Sequence, residues 1–293
     1  MKEPRKKRGK KKLVIALFPN FSKSMAKHLA LGVREFLTNQ GVTVLVEDQD
    51  AEQLGAAPLH SCDPVTIDFV ISMGGDGSIL RLLHRYPNIK APIIGINLGS
   101  LGFLADIPVS EVYPSLQEIL ANNYQIQERI MMDGETGSGE KCFAVNEIVV
   151  HRAKNPSLID LAIHVDGTYL NTFSADGIII ATPSGSTAYS LAAGGPILTP
   201  DLNAFVITPI CPHTISNVPI VLMPKREISI QYLSEYAPVE VIYDGMCTFT
   251  MKSGDVFHIR PSQGQFKLVN LHAHDYFSTL RTKLNWSGTL KNP

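Results

Sequence analysis

The first part of the chain, up to about Gln125, alternates short apolar runs with amphipathic stretches. Apolar residues recur at helical spacing over Ser22–Gln40, and a second helix is predicted over Gly77–Tyr86. Ser22 or Ser24 can cap the first helix, and Gly41 can end it. The apolar runs of strand type are Leu13–Phe18, Val42–Val46, Ile67–Ser72 and Pro92–Asn97. This alternation predicts a parallel sheet covered by helices on both faces.

After Gln125 the pattern becomes rich in short β segments. These are Cys142–His151, Ile159–Val165, Tyr169–Phe173, Gly177–Ala181, Phe205–Ile210, Glu227–Tyr232, Val239–Tyr243 and Val256–Ile259. Asp166-Gly167 and Asp244-Gly245 separate segments as hairpin turns do, and Ser186–Ala193 is the one helical stretch. The predicted fold is therefore an α/β N-terminal domain with a parallel sheet over residues 13–124. A mainly β, sandwich-like C-terminal domain follows over residues 125–269.

Composition fits a folded soluble protein, with 44% hydrophobic and 18% charged residues. No apolar run approaches the roughly eighteen residues that a membrane-spanning helix needs, so no membrane association is expected. The four cysteines are far apart and form no C-x-x-C pair. Neither a zinc site nor a disulfide framework is expected, and no protein metal ligands are predicted. Ordinary thiols indicate a reducing compartment, and the cytoplasm is the prediction.

Charge is unevenly distributed, because residues 1–12 hold eight Lys or Arg and one Glu. Subtracting these from 26 basic and 27 acidic residues leaves 18 and 26, a net charge of −8 for the rest of the chain. The basic segment lacks the apolar region of a secretory signal. It is predicted to be a disordered, solvated tail, with contact to an anionic surface as the alternative. The acidic body makes nucleic acid an unlikely ligand.

A glycine-rich turn, Gly74-Gly75-Asp76-Gly77-Ser78, directly follows the apolar run Phe69–Met73. Open α/β sheets bind ligands at the carboxyl ends of their strands, and glycines let the backbone approach a phosphate. Asp76 is unusual beside a phosphate, and it can hold Mg²⁺ indirectly or accept a proton from an attacking hydroxyl. The alternative is a tight turn in which Asp76 only caps the next helix. Neither the P-loop nor the G-x-G-x-x-G fingerprint is present.

Two later segments carry polar groups within apolar surroundings. Asn146-Glu147 lies inside the predicted strand Cys142–His151, where a carboxylate must reach water or a hydrogen-bond partner. An amide and a carboxylate together suit the vicinal hydroxyls of a ribose, and the alternative is an edge-strand Glu that faces solvent. The second segment, Asp176–Ser190, runs from an apolar strand into Pro-Ser-Gly-Ser-Thr and a short helix. Its hydroxyls and Tyr189 suit a nucleotide, and the alternative is a capped helix with Tyr189 in the core.

Taken with the glycine turn, these segments resemble the NAD kinase family. G-G-D-G-[ST] after a strand is shared by NAD kinases, 6-phosphofructokinases and diacylglycerol-type lipid kinases. Of these three families, only the NAD kinases also have segments similar to Asn146-Glu147 and to the later run D-G-I-I-I-A-T-P-S-G-S-T-A-Y-S. Further similar segments are Asn97–Leu104, Pro212–Thr214 and Tyr276–Trp286. The resemblance extends from about Leu13 to Trp286.

The resemblance implies Mg²⁺-dependent transfer of the γ-phosphoryl of ATP to the 2′-hydroxyl of the adenosine ribose of NAD, giving NADP and ADP. Asp76 would accept the proton, and the donor phosphates would lie against Gly74, Gly75, Gly77 and Ser78. The residues implied to bind NAD are Asp76, Gly77, Arg81, Asn146, Glu147, Ser157, Ser174, Asp176, Thr187, Ala188, Tyr189, Ser190, Leu191 and Ala192. A homodimer or homotetramer is implied, as is a C-terminal tail, residues 270–293, that packs back on the first domain.

Several positions depart from the family pattern. Ser78 replaces the commoner Thr, Ala105 stands where Thr is usual, and Val218 stands where Arg is frequent. Met246 replaces a residue that is often Gln and binds NAD, which makes Met246 a doubtful ligand. The rival functions are a lipid or sugar kinase with the same glycine turn, and a dinucleotide sensor without catalysis.

Overall fold

The computed structural model describes residues 12–223, 227–271 and 275–288. The chain divides into two compact units, one formed by Met1–Ile126 with Lys267–Pro293 and the other by Gln127–Phe266. Apart from Lys12, the basic tail predicted over residues 1–12 lies outside the described residues. No helix within the described ranges is long and apolar enough to cross a membrane.

Helices and strands are numbered here in chain order. The helices are α1 Ala26–Asn39, α2 Ala51–Leu54, α3 Asp76–Arg85, α4 Val112–Leu120, α5 Tyr189–Ala192 and α6 Tyr276–Leu284. The first nine strands are β1 Val14–Pro19, β2 Thr43–Val46, β3 Ala57–Pro58, β4 Phe69–Gly74, β5 Ile93–Asn97, β6 Ile107–Pro108, β7 Gln125–Thr136, β8 Lys141–Ala144 and β9 Glu147–His151. The others are β10 Ile159–Val165, β11 Thr168–Ala175, β12 Gly177–Ala181, β13 Phe205–Ile210, β14 Ile220–Leu222, β15 Ile228–Tyr232, β16 Val239–Tyr243, β17 Cys247–Met251 and β18 Val256–Asn270.

The first unit is built on a parallel sheet in the order β3-β2-β1-β4-β5. Strand β6 pairs parallel with β5, and Leu268 near the end of β18 lies opposite Ile93. Strand β4 is buried along its whole length, as expected for a central parallel strand. Helix α3 buries Ile79, Leu80, Leu82 and Leu83. The carboxyl end of β4 therefore delivers the glycine turn to a fixed position at the start of α3.

The second unit contains antiparallel sheets. One has six strands in the order β14-β13-β12-β9-β16-β17, and the other includes β11-β10-β15-β18. Ile148 and Ile180 of the first sheet share one hydrophobic core with Leu161, Ile230 and Phe257 of the other. Apolar side chains of the two inner faces thus pack together, as in a β-sandwich. The predicted fold class, α/β followed by mainly β, is confirmed.

Some predicted boundaries are wrong. The first helix begins at Ala26 rather than near Ser22, and its N-terminus has no side-chain cap. The Ser22 hydroxyl donates instead to Asn20 Oδ1 at 2.8 Å, because Asn20 closes the loop that follows β1. Gly41, with a φ of 78°, follows the end of this helix as predicted.

The predicted strand Cys142–His151 is two strands, β8 and β9, separated at Val145 and Asn146. The predicted helix Ser186–Ala193 is a 3₁₀ turn, Gly185–Thr187, followed by the four-residue α5. Eight of the numbered elements had no sequence-based prediction, namely α2, α4, α6, β3, β6, β7, β14 and β17. Strand β18 continues well beyond the predicted end at Ile259.

Candidate active site

The glycine turn brings the end of β4 directly into α3. Gly75 precedes the helix in an extended conformation, and Ser78 N–H donates to Gly75 O at 2.8 Å. A side chain at Gly74 would lie within 2.8 Å of Ser78 Cβ, whereas the space beside Gly75 is open. Ser78 Oγ accepts hydrogen bonds from Asn20 Nδ2 at 3.2 Å and from Arg81 at 3.1 Å. The turn therefore presents open backbone at Gly75 and an arginine one helical turn further on.

Asp76, the first residue of α3, points its carboxylate at a second stretch of backbone. Oδ1 accepts from Leu104 N–H at 3.0 Å and Ala105 N–H at 2.9 Å, and Oδ2 accepts from Phe103 N–H at 2.8 Å. Hydrogen bonds to an ionised acceptor are stronger than neutral ones, and a helix N-terminus favours negative charge. The carboxylate offers about four lone-pair positions, so three donors leave one available on Oδ2. Asp76 is thus fixed and still able to accept a proton.

The segment that holds Asp76 is itself held by Asn97 at the end of β5. Asn97 Nδ2 donates to Ser100 O at 2.5 Å and Ala105 O at 3.2 Å, and its Oδ1 accepts from Gly99 N–H at 2.6 Å. Gly102 lies so close to Asp76 that an added Cβ would come within 2.8 Å of Asp76 Cγ. Only glycine therefore fits at this position without moving the carboxylate.

Helix α6 packs against the same segment, within the first unit. The ring of Tyr276 lies 6.1 Å from that of Phe103, and Lys283 Nζ lies 5.2 Å from the centre of the Phe103 ring. Because Phe103 N–H is one of the donors to Asp76, α6 restrains the backbone that positions the carboxylate. These contacts were not predictable from local sequence pattern, since Phe103 and Tyr276 are distant in the chain.

A cleft of about 310 Å³ opens beside the turn. Its lining includes Asn20, Glu47, Asp50, Ser78, Arg81 and Arg85. Arg85 forms an ion pair with Glu47 at 2.7 Å, and Tyr86 OH donates to the same carboxylate at 2.7 Å. Arg81 is exposed and donates a hydrogen bond to the neutral Ser78 hydroxyl. Arg81 is therefore the cation of this cleft best placed to meet an anionic group at the turn.

Asn146 and Glu147, in the second unit, are both buried, with 9% and 7% of their surface exposed. Strand β9 begins at Glu147 and has β12 on one side and β16 on the other, so it is not an edge strand. The alternative of a solvent-facing edge glutamate is therefore wrong. Among the described residues, Asn146 Oδ1 and Glu147 Oε2 have no hydrogen-bond partner. Two adjacent buried oxygens without partners are unusual in proteins and indicate a place for a ligand.

Burial of Glu147 raises the pKa of its carboxyl, and the nearby charge of Asp244 raises it further, to about 8. Glu147 therefore carries a proton at neutral pH in the folded chain. A neutral carboxyl both donates and accepts hydrogen bonds, whereas a carboxylate only accepts. That versatility suits a sugar hydroxyl, which also does both.

The Asp176–Ser190 segment lies against Asn146. Thr182 N–H donates to Asn146 O at 2.8 Å, and Thr182 Oγ1 donates to Val145 O at 2.6 Å. The structure thus brings the two sequence-predicted NAD segments together. Tyr189 is 43% exposed, so the alternative that places Tyr189 in the core is wrong.

The hydroxyls of this segment divide into buried and accessible ones. Ser190 Oγ is buried against Thr208 Oγ1 at 2.9 Å, and Ser186 Oγ is buried between Pro183 O and Leu198 N–H. Thr187, Ala188 and Leu191 are partly exposed, and Ala192 is exposed. The buried hydroxyls fix the turn, and the accessible surface is formed by Tyr189 and its neighbours.

The other predicted NAD contacts lie at the end of β11 and in the loop before β10. Asp176 Oδ1 forms an ion pair with Arg152 Nε at 2.7 Å, and Ser174 Oγ donates to Asp160. Ser157 is exposed in the loop. Asp176 and Ser174 are therefore already engaged within the second unit.

Arg129 on β7 is a buried cation, 5% exposed, that was not predicted from the sequence. Arg129 donates to Ser184 Oγ at 3.3 Å, next to the turn that carries Thr187 and Tyr189. Its position on the strand gave no signal, because β7 had not been predicted. In the described part of the chain, no three His, Cys, Asp or Glu side chains are grouped to hold a metal ion.

Known proteins that are similar to this chain cover most of its length. Residues 15–124 match the model of the ATP-NAD kinase N-terminal domain, and residues 145–271 match that of the ATP-NAD kinase C-terminal domain. An NAD kinase of Protochlamydia amoebophila is 58% identical over 95% of this chain and 100% of its own length. The chain belongs to the NAD kinase family. An NAD kinase of Geotalea daltonii is 39% identical over 93% of this chain and 98% of its own length.

Solved structures of NAD kinase relatives have the same fold. Yeast NADH kinase complexed with NADH superposes with a TM-score of 0.82 at 26% identity, over 96% of this chain and 89% of the other. An NAD kinase from Archaeoglobus fulgidus in complex with ATP superposes with a TM-score of 0.72 at 27% identity, over 95% of this chain and 100% of the other.

The departures from the NAD kinase pattern are structurally mild. Ala105 contributes its backbone N–H to Asp76, and this bond is independent of the side chain. Val218 is 65% exposed. Met246 N–H closes the Asp244-Gly245 turn by donating to Tyr243 O at 3.1 Å, which any residue except proline can do.

Proposed function

We propose that this chain transfers the γ-phosphoryl of ATP to the 2′-hydroxyl of the adenosine ribose of NAD, giving NADP and ADP. The observation that carries the proposal is the Asp76 carboxylate, held by three backbone N–H groups with one lone-pair position left on Oδ2. Such a group orients a hydroxyl by accepting its hydrogen bond and takes its proton as the new P–O bond forms. Phosphoryl transfer depends chiefly on positioning, so a rigid carboxylate suits this role.

The phosphates of the donor lie against the glycine turn in this proposal. Gly75 offers open backbone, Gly74 leaves no room for a side chain beside Ser78, and Ser78 holds Arg81 through its hydroxyl. Gly77 is also proposed to lie against the phosphates. The N-terminal end of α3 adds backbone N–H groups that attract anions. Bound as its chelate with ATP, Mg²⁺ would offset the charge of the phosphates. This chain's own residues set the position of the phosphates and receive the hydroxyl proton.

NAD binds to the second unit in this proposal. Asn146 Oδ1 accepts from one ribose hydroxyl, and the protonated Glu147 exchanges hydrogen bonds with its neighbour. Tyr189 offers an exposed ring for stacking on a base. The remaining proposed contacts come from Ser157, Ser174, Asp176, Thr187, Ala188, Leu191 and Ala192, with Ser190 fixing the segment through Thr208.

We also propose a cytoplasmic homodimer or homotetramer. Strand β14 lies at one end of the six-stranded sheet among the described residues. Large apolar side chains are exposed on and beside it, including Ile215 at 97% and Met223 at 68%. Large apolar side chains exposed at a sheet edge favour a protein partner.

The test is incubation of the purified chain with NAD, ATP and Mg²⁺, followed by separation and phosphorus NMR of the product. NADP phosphorylated at the 2′ position is expected. NAD binding without NADP formation would support a dinucleotide sensor instead, and absence of both would refute the proposal. Replacing ATP with polyphosphate, and NAD with NADH, defines the range of donors and acceptors. Omitting Mg²⁺ tests the metal requirement.

A further inference from the structure

Asp244 connects a hairpin turn to the break that separates β8 from β9. Its buried carboxylate accepts from Asn146 N–H at 2.7 Å, Val145 N–H at 2.9 Å and Glu147 N–H at 3.3 Å. Three successive N–H groups that converge on one point form an anion-binding concavity. The Asp244 carboxylate occupies this concavity. It accepts hydrogen bonds from the N–H groups at the break between β8 and β9.

The backbone of Asp244 is as specialised as its side chain. Asp244 and Gly245 have φ values of 49° and 68°, and Met246 N–H donates to Tyr243 O at 3.1 Å. This is a hairpin turn with both central residues in the left-handed region, where Asp and Asn are tolerated better than other side chains. Asp244 N–H also donates to Glu147 O at 3.0 Å. Asp244 therefore bonds to both backbone groups of Glu147: its carboxylate accepts from the Glu147 N–H, and its own N–H donates to the Glu147 carbonyl.

The consequence lies in the two side chains that project from this fixed backbone. Asn146 Oδ1 and Glu147 Oε2 are buried without partners in the described structure, so nothing but the backbone and packing sets their direction. The negative charge of Asp244 also acts on Glu147, because it is the charged neighbour that adds to the effect of burial on the Glu147 pKa. Asp244 thus fixes the backbone of Asn146 and Glu147 and also supplies the charge that acts on the Glu147 carboxyl.

We propose that Asp244 is a positioning residue for NAD: it sets the backbone of Asn146 and Glu147 so that their side chains meet the ribose hydroxyls. The inference rests on the proposed role of Asn146 and Glu147 in NAD binding. Asp244 itself does not touch the substrate in this account. It acts through three peptide N–H groups, and its charge favours the protonated form of Glu147.

Asp244→Asn is the decisive variant, because Asn suits the left-handed turn but lacks the charge and turns an NH₂ group toward the N–H donors. Asp166→Asn is the matched control. Asp166 also begins an Asp-Gly hairpin turn, with a φ of 52°, but it is exposed and accepts from the N–H of Glu227, which directly precedes β15. Asn146→Ala tests the NAD contact directly.

KM for NAD and for ATP is measured for all three variants and for the unmodified chain. Asp244→Asn is expected to raise KM for NAD at least tenfold, roughly the loss of one charge-assisted hydrogen bond, and to change KM for ATP less than about twofold. Asp166→Asn is expected to change neither. If Asn146→Ala raises KM for NAD and Asp244→Asn does not, the inference about Asp244 is wrong. If Asn146→Ala has no effect, the proposed NAD contact is wrong and the inference falls with it.

A purely structural turn would not alter the titration of Glu147. Infrared difference spectra across pH follow the protonated Glu147 carboxyl, identified by its absence in Glu147→Gln. Asp244→Asn is expected to move the titration midpoint to lower pH, and an unmoved midpoint contradicts the charge effect.

If Asp244→Asn does not fold, amide hydrogen exchange in the unmodified chain without NAD tests the inference instead. Slow exchange at Asn146 and Glu147 supports the inference, and exchange as fast as at exposed loop amides overturns it.

Discussion

Replacing Glu147 with Gln tests the protonation of the buried carboxyl through protein stability. Burial and the charge of Asp244 raise the pKa of Glu147 from 4.5 to about 8 in the folded chain. A group whose pKa is raised by folding contributes stability that is fully present below the unfolded pKa and is lost as pH rises to the folded pKa. The Glu147 contribution is therefore lost between about pH 4.5 and pH 8. Glutamine is uncharged throughout, so Glu147→Gln removes this pH dependence.

The magnitude follows from these two pKa values. Each pKa unit corresponds to about 1.4 kcal/mol, so the full effect is on the order of 5 kcal/mol. Relative to the unmodified chain, Glu147→Gln is expected to gain ~1 kcal/mol at pH 5, ~3 kcal/mol at pH 7 and ~5 kcal/mol at pH 9. If the glutamine amide itself lowers the free energy of unfolding by a constant amount, the differences at pH 5, 7 and 9 all shift by that amount. The difference in Tm between the two proteins should therefore grow by roughly 4–8 °C from pH 5 to pH 7.

Differential scanning calorimetry without nucleotide, at pH 5, 7 and 9, measures this difference. Glu235→Gln is the matched control, since it removes an exposed carboxylate from the same unit. A Tm difference for Glu147→Gln that stays constant from pH 5 to pH 9 would refute the reasoning. It would mean that the carboxyl ionises in the folded chain as it does in the unfolded chain.

Two further predictions concern the support of Asp76 and the stability of the second unit. Gly102→Ala should lower both kcat and Tm, because the new Cβ displaces the Asp76 carboxylate. Gly99→Ala is the control in the same loop, since its Cβ would make only an ordinary contact of 3.9 Å with Asn97 Oδ1, and equal kinetics for the two would contradict this. Glu227→Gln should lower Tm above pH 4.5 but not near pH 2. Although burial opposes ionisation, hydrogen bonds from Ser229, His258 and Arg260 lower the pKa of Glu227 to about 2. Its contribution to stability is therefore lost as pH falls from about 4.5 to about 2, and calorimetry between pH 2 and pH 7 checks this.

The position of the glycine turn could be predicted from sequence because its determinants are local. The apolar run of β4 leads directly into three glycines and an amphipathic helix, so strand, turn and helix are all encoded within a few residues. The partners of Asp76 were not predictable. They are backbone N–H groups of residues 103–105, and backbone groups leave no trace in side-chain patterns.

The break at Val145 and Asn146 was hidden for a similar reason. Apart from Asn146 and Glu147, the residues from Cys142 to Val150 are apolar, so the pattern predicts one strand over Cys142–His151. The cause of the break is the Asp244 carboxylate, which lies 98 positions from Asn146 in the chain. Asp244-Gly245 was recognised as a turn, but its hydrogen bonds depend on tertiary structure. Local pattern therefore located the functional segments, and long-range contacts determined their geometry.

Asp76→Asn, assayed for NADP formation and for NAD binding, tests the central claim most directly. The variant keeps the size of the side chain but cannot accept the 2′-hydroxyl proton. We expect kcat to fall by at least about 100-fold, as is typical for loss of a general base, with the Kd for NAD within a few-fold of that of the unmodified chain. Asp63→Asn, which changes an exposed carboxylate that accepts Val65 N–H, should keep full activity. Full kcat in Asp76→Asn, with NAD still bound, would contradict the account.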